Sequence, residues 1–229
     1  MISPKQYLQK VISFFQENGN IEIAEGQMNY MRNKFEFYGV KAPGWVKFSK
    51  EIMKSEGIFR NEKLKEFVRL CLNEEHREIH YFGLQMVEKA TKKEAEDFID
   101  FLEELILTHS WWDSVDWISK MVGWHFMRFP KQVIPVTERW ISSGNIWLQR
   151  IAIIFQRYKN YPTDEKMLFD YILRVKDSEE FFIQKGAGWA LRDHSKTNPA
   201  EVVNFIKNNK FPSLTEREGL KWLKKNGVS

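Results

Sequence analysis

The stretch LKEFVRLCL, residues 64–72, decides the fold class. Five of its apolar residues recur at the i, i+3, i+4, i+7 spacing of a one-sided α-helix, namely Leu64, Phe67, Val68, Cys71 and Leu72. A half-buried β-strand requires strict alternation instead, because its successive side chains point to opposite faces. The stretch therefore predicts an amphipathic helix with one buried side.

The same spacing recurs on both sides of this stretch, for example at Tyr7, Val11, Phe14 and Phe15. Turn-forming residues separate the periodic segments and delimit roughly a dozen helices of ordinary length. The breaks are predicted at residues 18–20, 39–44, 57, 108–110, 129–131, 142–145, 161–164, 177, 197–199 and 211–213.

Short turns between many helices are typical of stacked antiparallel helix pairs. Strand signals are nearly absent, and no fixed signature recurs at a period of about 35 to 45 residues, which disfavours ankyrin and tetratricopeptide arrays. The predicted fold is all-α, a superhelix (solenoid) of degenerate HEAT-like helix pairs. The loop FYGVKAPG (37–44) lacks the composition of a linker, so we expect one domain over residues 1–229.

Composition excludes several classes of protein. Of the 229 residues, 43% are hydrophobic and 15% aromatic, which is enough apolar material for a sizeable core and argues against disorder. No window approaches the roughly 18 apolar residues of a membrane span, and the start lacks a signal-peptide pattern, so we expect a cytoplasmic protein. The single cysteine, Cys71, allows no intramolecular disulfide and is expected to fill the core.

The charge distribution favours a polyanionic partner for the C-terminal part of the chain. Net charge is only +4, but residues 150–229 carry 15 Lys and Arg against 10 Asp and Glu. Residues 1–149 are nearly balanced, with 20 against 21.

Asp116 lacks an obvious structural role in the sequence. Ser110 and Asp113 fit a capping box at the start of a helix, which would explain Asp113. Asp116 lies one turn further on, four residues after Trp112, so an indole and a carboxylate share one helix face. A structural alternative remains open, in which Trp112 packs in the core and Asp116 pairs with an arginine of another helix.

Two further segments present basic and aromatic side chains. One carries Lys185, Trp189, Arg192 and Lys196 at helical spacing, and its Gly186 and Gly188 require either a neighbouring helix or a ligand close to the backbone. The other places Arg150 and Arg157 seven residues apart. Such faces suit phosphates and bases, so the pattern predicts a nucleic-acid surface.

Other chemistries have little support in the sequence. His76 and His80 are spaced to share a metal, but no third ligand and no HExxH order accompany them, so we expect no metal. Glycine-rich nucleotide loops and the GxSxG elbow are absent, and no other cofactor is expected. No lysine has a defensible position beside Asp116 for a Schiff base, which disfavours a bifunctional lyase.

Several separate motifs resemble the AlkD-like DNA alkylation repair family. They are WWDSVD (111–116), NIWLQRIAI (145–153), GWALRDHSKTNP (188–199), MNYMRNKFEFYGVKAP (28–43) and REIHYFGLQMVEK (77–89). The resemblance implies a HEAT-like superhelix and a monofunctional DNA glycosylase that excises positively charged N3- and N7-alkylated purines from duplex DNA.

By motif position, the resemblance implies a catalytic carboxylate at Asp116, active-site tryptophans at Trp112 and Trp189, and family residues at Arg150 and Tyr30. The predicted DNA contacts are Tyr30, Arg150, Arg157, Lys185, Arg192 and Lys196. The sequence departs from the family pattern in its additional tryptophans near the site and in His194. We expect a monomer that needs no protein partner and associates with the bacterial nucleoid when bound to DNA.

Two alternatives stay open at this point. A HEAT-like scaffold could bind nucleic acid or protein without chemistry, which is the usual work of helical solenoids. Basic aromatic faces also stack unpaired bases, so an RNA-binding or RNA-modifying protein fits the same pattern.

Overall fold

The computed structural model describes residues 2–158 and 161–227, and these residues form helices and connecting turns with one isolated bridge, between Glu36 and His76. The α-helices are α1 (Pro4–Asn18), α2 (Ile21–Tyr30), α3 (Ala42–Glu56), α4 (Asn61–Leu72), α5 (Arg77–Thr91), α6 (Phe98–Leu107), α7 (Trp112–Arg128), α8 (Val133–Ile141), α9 (Ile146–Ile154), α10 (Glu165–Arg174), α11 (Phe181–His194), α12 (Pro199–Asn208), α13 (Ser213–Gly219) and α14 (Lys221–Lys225). Short 3-10 helices cover Pro130–Gln132 and Phe155–Arg157. The all-α prediction is confirmed.

The predicted helix boundaries are right at most turns. Asn145 caps α9 by accepting backbone N–H bonds from Trp147 and Leu148, as its position after the Ser-Gly turn indicates. Helix α2, in contrast, ends at Tyr30, well before the break predicted at Gly39. The turn between α5 and α6 was not predicted either.

The chain divides into two compact units, Met1–Phe101 and Leu102–Ser229. In the first unit, α4 packs against α1 and α5. In the second unit, α9 packs against α8 and α11, and α11 packs against α13. Short connections make consecutive packed helices antiparallel, as in the predicted helix pairs.

The predicted apolar face of LKEFVRLCL forms the buried side of α4. Leu64, Phe67, Val68 and Cys71 are fully buried. The ring of Phe67 lies 5.1 Å from that of Tyr7 on α1 and 6.0 Å from that of Phe82 on α5. Truncating a ring packed in this way costs about 3 to 5 kcal/mol. Burial also raises the pKa of the Cys71 thiol, which fits the predicted role of Cys71 as core filler.

A buried carboxylate fixes the loop before α3. Glu78 is 1% exposed and accepts backbone N–H bonds from Tyr38, Gly39 and Val40 at 3.1, 2.9 and 3.3 Å. Gly39 has φ 87°, and a Cβ there would lie 1.9 Å from the carbonyl oxygen of Asn20. Glycine is therefore required at this position, and Glu78 holds the loop in one conformation.

Within the described residues, no helix combines the length and the apolar composition that crossing a membrane requires.

Candidate active site in the second unit

Helix α7 carries Asp116 and begins without the predicted capping box. Trp111 is the N-cap residue, and no side chain caps the helix there. The Ser110 hydroxyl instead donates to the carbonyl of Ile106, at 2.6 Å, at the end of the preceding helix. The capping-box prediction was therefore wrong, because the Ser110 hydroxyl is used to close α6 rather than to open α7.

Asp116 is held by Arg150 of α9 through both carboxylate oxygens. Arg150 Nε lies 2.8 Å from Asp116 Oδ1, and Arg150 Nη2 lies 2.9 Å from Oδ2. Arg150 Nη1 donates to the carbonyl of Phe182 on α11. The Arg150 side chain is 1% exposed, whereas that of Asp116 is 23% exposed. The pair therefore fixes the carboxylate in one orientation and still leaves part of it open to solvent.

This geometry changes the role expected of Arg150. A phosphate contact requires accessible guanidinium donors, and those of Arg150 are buried against Asp116 and Phe182. The predicted direct DNA contact from Arg150 is not supported by this geometry, and the residue instead positions Asp116. The structural alternative, that Asp116 pairs with an arginine of another helix, is correct as a description of this contact.

The two glycines of α11 accommodate neighbouring protein elements. A Cβ on Gly186 would lie 3.0 Å from Arg150 Nη1, and a Cβ on Gly188 would lie 2.6 Å from Glu218 Cβ on α13. Of the two alternatives given by the sequence, a neighbouring helix or a ligand, the structure supports the neighbouring helix. Gly186 in particular lets Arg150 lie against the backbone of α11.

Four cationic side chains of the described residues surround the indole of Trp189. The guanidinium carbons of Arg157, Arg150 and Arg192 lie 5.0, 5.3 and 5.9 Å from its ring centre. The Lys185 ammonium lies 5.8 Å from it. All lie within the distance at which an aromatic face attracts a cation. The predicted basic and aromatic faces of α9 and α11 thus meet at one indole.

Two carboxylates compensate this positive charge. Asp193 accepts from Arg157 and Lys196, at 2.5 and 2.6 Å. Burial favours the neutral form of Asp193, but its bonds to Lys196 and Arg157 outweigh burial and lower its pKa. Lys196 itself lies just beyond the end of α11 and is exposed.

Glu218 of α13 compensates two further cations near Trp189. Its side chain is 7% exposed and accepts from Lys185 at 2.6 Å and from Arg192 at 3.2 Å. Burial again opposes the charged form, and the bonds to Lys185 together with the charges of Lys221 and Arg192 lower its pKa below the ordinary value. The cations of this surface are therefore held in place before any ligand arrives.

A cavity of about 310 Å³ opens beside Asp116. Its lining residues come from α7 and from the end of α9 with the 3-10 helix after it, and they are Asp116, Ser119, Lys120, Ile154, Phe155, Arg157 and Tyr158. Among them Asp116 is the only acid. A carboxylate that faces a cavity while its orientation is fixed is suited to stabilise positive charge on a bound group.

Comparison with known proteins identifies the family of this chain. The sequence model described as "DNA alkylation repair enzyme" matches residues 11–223. The chain belongs to the DNA alkylation repair enzyme family. A solved structure described as a predicted DNA alkylation repair enzyme from Enterococcus faecalis is 30% identical in sequence, with a TM-score of 0.84. The match covers 91% of this chain and 98% of that one.

More distant structures share the fold of this DNA alkylation repair family member. AlkD2 from Streptococcus mutans is 18% identical with a TM-score of 0.62, over 87% of this chain and 97% of that one. The protein smu.31 from Streptococcus mutans UA159 is 16% identical with a TM-score of 0.60, over 79% and 92%. A comparison with curated proteins gave no match.

The remaining family positions lie in both units. Trp112 is the first residue of α7, one turn before Asp116, and is half-buried. Tyr30 belongs to the first unit, where it ends α2 with 70% of its surface exposed. The roles assigned to Trp112, Trp189 and Tyr30 by resemblance stay predictions.

Lys120 is the residue of this site that sequence reasoning missed. It follows Asp116 by four residues on α7, and it lines the same cavity. The prediction that no lysine is placed beside Asp116 for a Schiff base did not take Lys120 into account, and it stays a prediction. The i, i+4 spacing was visible in the sequence, as it was for Trp112 and Asp116, and could have identified Lys120.

The two histidines spaced for a metal have other contacts in the first unit. The His76 ring stacks on that of Tyr38 with centres 3.7 Å apart. His80 Nε2 lies 2.7 Å from the Glu74 carbonyl oxygen, and its Nδ1 lies 3.3 Å from Arg77 Nη1. These contacts describe how both rings pack, and the expectation that they bind no metal stays a prediction.

Proposed function

We propose that this member of the DNA alkylation repair enzyme family is a monofunctional DNA glycosylase that excises positively charged N3- and N7-alkylated purines from duplex DNA. The observation that carries the proposal is the Asp116 carboxylate. Arg150 fixes both of its oxygens, yet the side chain is 23% exposed and lines a cavity. Family membership supports a DNA substrate.

Cleavage of the glycosidic bond of such a purine needs little from the protein beyond a negative charge close to the sugar. An N3- or N7-alkylated purine already carries positive charge, so it leaves readily without a general acid. Breaking the glycosidic bond builds positive, oxocarbenium-like charge on the sugar, which a nearby carboxylate stabilises. Arg150 reduces the field of Asp116 but prevents the carboxylate from rotating away, so no reorganisation is needed when the charge develops.

The surroundings of Trp189 bear on the choice of substrate. An indole face attracts a cationic base by about 0.5 to 2 kcal/mol. Four protein cations already lie near this ring. Asp116, Asp193 and Glu218 compensate them only in part, and the remaining positive charge would repel a charged base until it is neutralised. Backbone phosphates supply that neutralisation. We therefore expect lesion recognition to depend on phosphates bound by Arg157, Lys185, Arg192 and Lys196 rather than on reading base edges.

Base release from a duplex with one 7-methylguanine tests the proposal. We expect wild-type protein to release the base under single-turnover conditions, and Asp116→Asn to release it about 100-fold more slowly or worse. Asp170→Asn is the matched control, because Asp170 lies on α10 and its side chain is 58% exposed. It should match wild type. Thermal melts check that each variant is folded.

The same assay separates the alternatives. A wild-type protein that binds the duplex but releases no base over hours would be a non-catalytic scaffold. Competition at fixed salt between the methylated duplex and single-stranded RNA decides the second alternative, because stronger retention of RNA would contradict the proposal.

We further propose that the protein acts as a cytoplasmic monomer without a cofactor, and light scattering of the free protein and its DNA complex tests the oligomeric state.

A further inference from the structure

Helix α3 of the first unit carries three lysines on its solvent side. Lys47, Lys50 and Lys54 follow the i, i+3, i+7 spacing of one helix face, and all three are exposed. We call these three residues the α3 lysine stripe. The other side of the helix packs in the protein, and its buried residues are Trp45, Ser49, Ile52 and Met53. The stripe therefore faces solvent along its whole length.

The ammonium groups of the stripe have no partner in the protein. Among residues 2–158 and 161–227, no side chain or carbonyl forms an ion pair or hydrogen bond with them. Glu56, at the end of α3, pairs instead with Lys10 of α1. Glu51 is the other acid of the helix, so three positive charges lie beside a single negative one. The near balance of charge over residues 1–149 thus conceals a local basic surface.

The spacing of the stripe is unfavourable for the free protein. Like charges three and four residues apart on a helix repel each other and destabilise it. Both spacings occur here, between Lys47 and Lys50 and between Lys50 and Lys54. Because no ion pair within the described residues offsets this repulsion, the stripe is better explained by a polyanion that binds it.

The surroundings of the stripe favour the backbone of a duplex over a lipid surface or unpaired bases. An amphipathic helix that binds a membrane inserts an exposed apolar face, whereas the apolar face of α3 is buried in the protein. Single strands stack on accessible aromatic rings, but Trp45 is 8% exposed and Phe48 stacks on Phe14 with ring centres 3.8 Å apart. Seven residues of helix span about 10 Å, a length over which duplex DNA carries about six phosphate charges.

We propose that the α3 lysine stripe is a second DNA-contact surface, which binds backbone phosphates of duplex DNA without reading its sequence. Membership of a DNA alkylation repair family supports DNA as the polyanion. The inference goes beyond the proposed glycosylase function, because phosphate contacts of this kind require neither a lesion nor the Asp116 carboxylate. It extends the predicted polyanion contact from the C-terminal part of the chain to the first unit.

Binding to an undamaged DNA duplex at a series of salt concentrations tests the proposal. The stripe variant combines Lys47→Gln, Lys50→Gln and Lys54→Gln. Each lost phosphate contact lowers the slope of log affinity against log salt concentration by about 0.9, so we expect this slope to fall by about two to three. Affinity at about 0.1 M salt should fall at least about tenfold. Arginine at the same three positions should keep the wild-type slope, because it keeps the charge.

The matched control removes the same net charge from scattered positions of the first unit. It combines Lys5→Gln, Lys63→Gln and Lys93→Gln, which replace exposed lysines of α1, α4 and the turn after α5. The control should change the salt slope by less than about one. An equal loss in the two variants would mean that only net charge matters and would overturn the proposal. So would a stripe variant that binds the duplex like wild type.

Thermal melts without DNA separate binding from folding. The stripe variant should melt at or slightly above the wild-type temperature, because it removes repulsion between neighbouring like charges. A stripe variant that melts well below wild type would show that the lysines stabilise the fold, which contradicts the proposal.

Vesicles of equal parts phosphatidylcholine and phosphatidylglycerol provide the lipid comparison. If the stripe variant loses binding to these vesicles but keeps the wild-type affinity for the duplex, the stripe contacts a lipid surface and the proposal is wrong. None of these measurements uses base release. A wild-type protein that releases no base would therefore contradict the proposed function, while the contribution of the stripe to DNA binding would still be measured.

Discussion

Glu78 in the first unit and Asp116 in the second are both carboxylates with a fixed orientation, but only Asp116 is partly exposed to solvent. Glu78 is 1% exposed, and three backbone N–H groups of the loop before α3 donate to it. Asp116 receives two bonds from a single arginine and keeps 23% of its side chain exposed, beside a cavity. The first carboxylate faces only protein, and the second also faces a space that a ligand can enter.

The difference shows what separates a structural carboxylate from a candidate catalytic one. Both oxygens of Glu78 accept hydrogen bonds from backbone N–H groups, so Glu78 stabilises the conformation of residues 38–40. Among the described residues, only the Arg150 guanidinium holds the side chain of Asp116, and the exposed part of that side chain remains able to interact with a substrate. Changes at the two residues should therefore separate stability from activity, and a change at Arg150 should affect both.

The largest effect is expected when the partner of Asp116 is removed. Arg150→Met leaves the Asp116 carboxylate and the Phe182 carbonyl without the donors that now satisfy them. Breaking a buried ion pair from one side costs about 3 to 5 kcal/mol of unfolding free energy. Urea denaturation measures this loss. Base release by the folded protein should also fall, because Asp116 is no longer held in one orientation.

The matched control is an ion pair in the same unit whose arginine is exposed. Arg139 pairs with Glu103 but is 52% exposed, so Arg139→Met should cost less than about 1 kcal/mol. Adding Asp116→Asn to Arg150→Met should restore part of the lost stability, because no unpaired charge remains. A double variant less stable than Arg150→Met would show that the pair is not the source of the loss.

Glu78→Gln is expected to have a smaller effect that is confined to stability. The amide has one oxygen that still accepts from part of the loop N–H groups, while its own NH2 group faces the remaining N–H groups. The variant therefore loses about 2 kcal/mol of unfolding free energy. Base release by the folded fraction should stay within twofold of wild type, whereas Asp116→Asn should be slow even when fully folded. Parallel melts and single-turnover assays check both, and a strong activity loss in Glu78→Gln would contradict the division between the two carboxylates.

The fold could be predicted from the sequence because its signals are local. The spacing in LKEFVRLCL depends only on the geometry of one helix, and the apolar residues at that spacing are buried as predicted. The end of α2 was not predicted, because the loop that follows it is fixed by backbone N–H groups that donate to Glu78, some forty residues away in the chain. Tertiary contacts of this kind leave no local pattern.

Several residues predicted for the site come together in the structure, but their contacts could be predicted only in part. The faces of α9 and α11 that meet at Trp189 follow from helical spacing. The partner of Asp116 could not be chosen, because several arginines are available and only packing decides among them. Gly186 explains the choice in retrospect, since a side chain there would lie 3.0 Å from Arg150 Nη1.

The smallest expected effect concerns the acid that holds two of the cations. The pKa of Glu218 is lower in the folded protein than its ordinary value of 4.5, so its ion pairs stabilise the fold above about pH 4.5. That contribution is lost as the pH falls through the folded pKa, because the carboxylate is then protonated in both states. Glu218→Gln should therefore cost about 1 kcal/mol at pH 7 and progressively less in acid.

Denaturation of wild type and Glu218→Gln between pH 7 and pH 3 measures this convergence. Asp193→Asn should converge with wild type in the same direction, because the pKa of Asp193 is also lowered by its cations. In Glu218→Gln, Lys185 and Arg192 keep their positive charge but lose the carboxylate that fixes their position. We expect the ordering of these two side chains to matter more for DNA binding than their charge does. A stability difference between wild type and Glu218→Gln that stays constant down to pH 3 would mean that packing of α13 on α11, and not the charge of Glu218, is what the substitution disturbs.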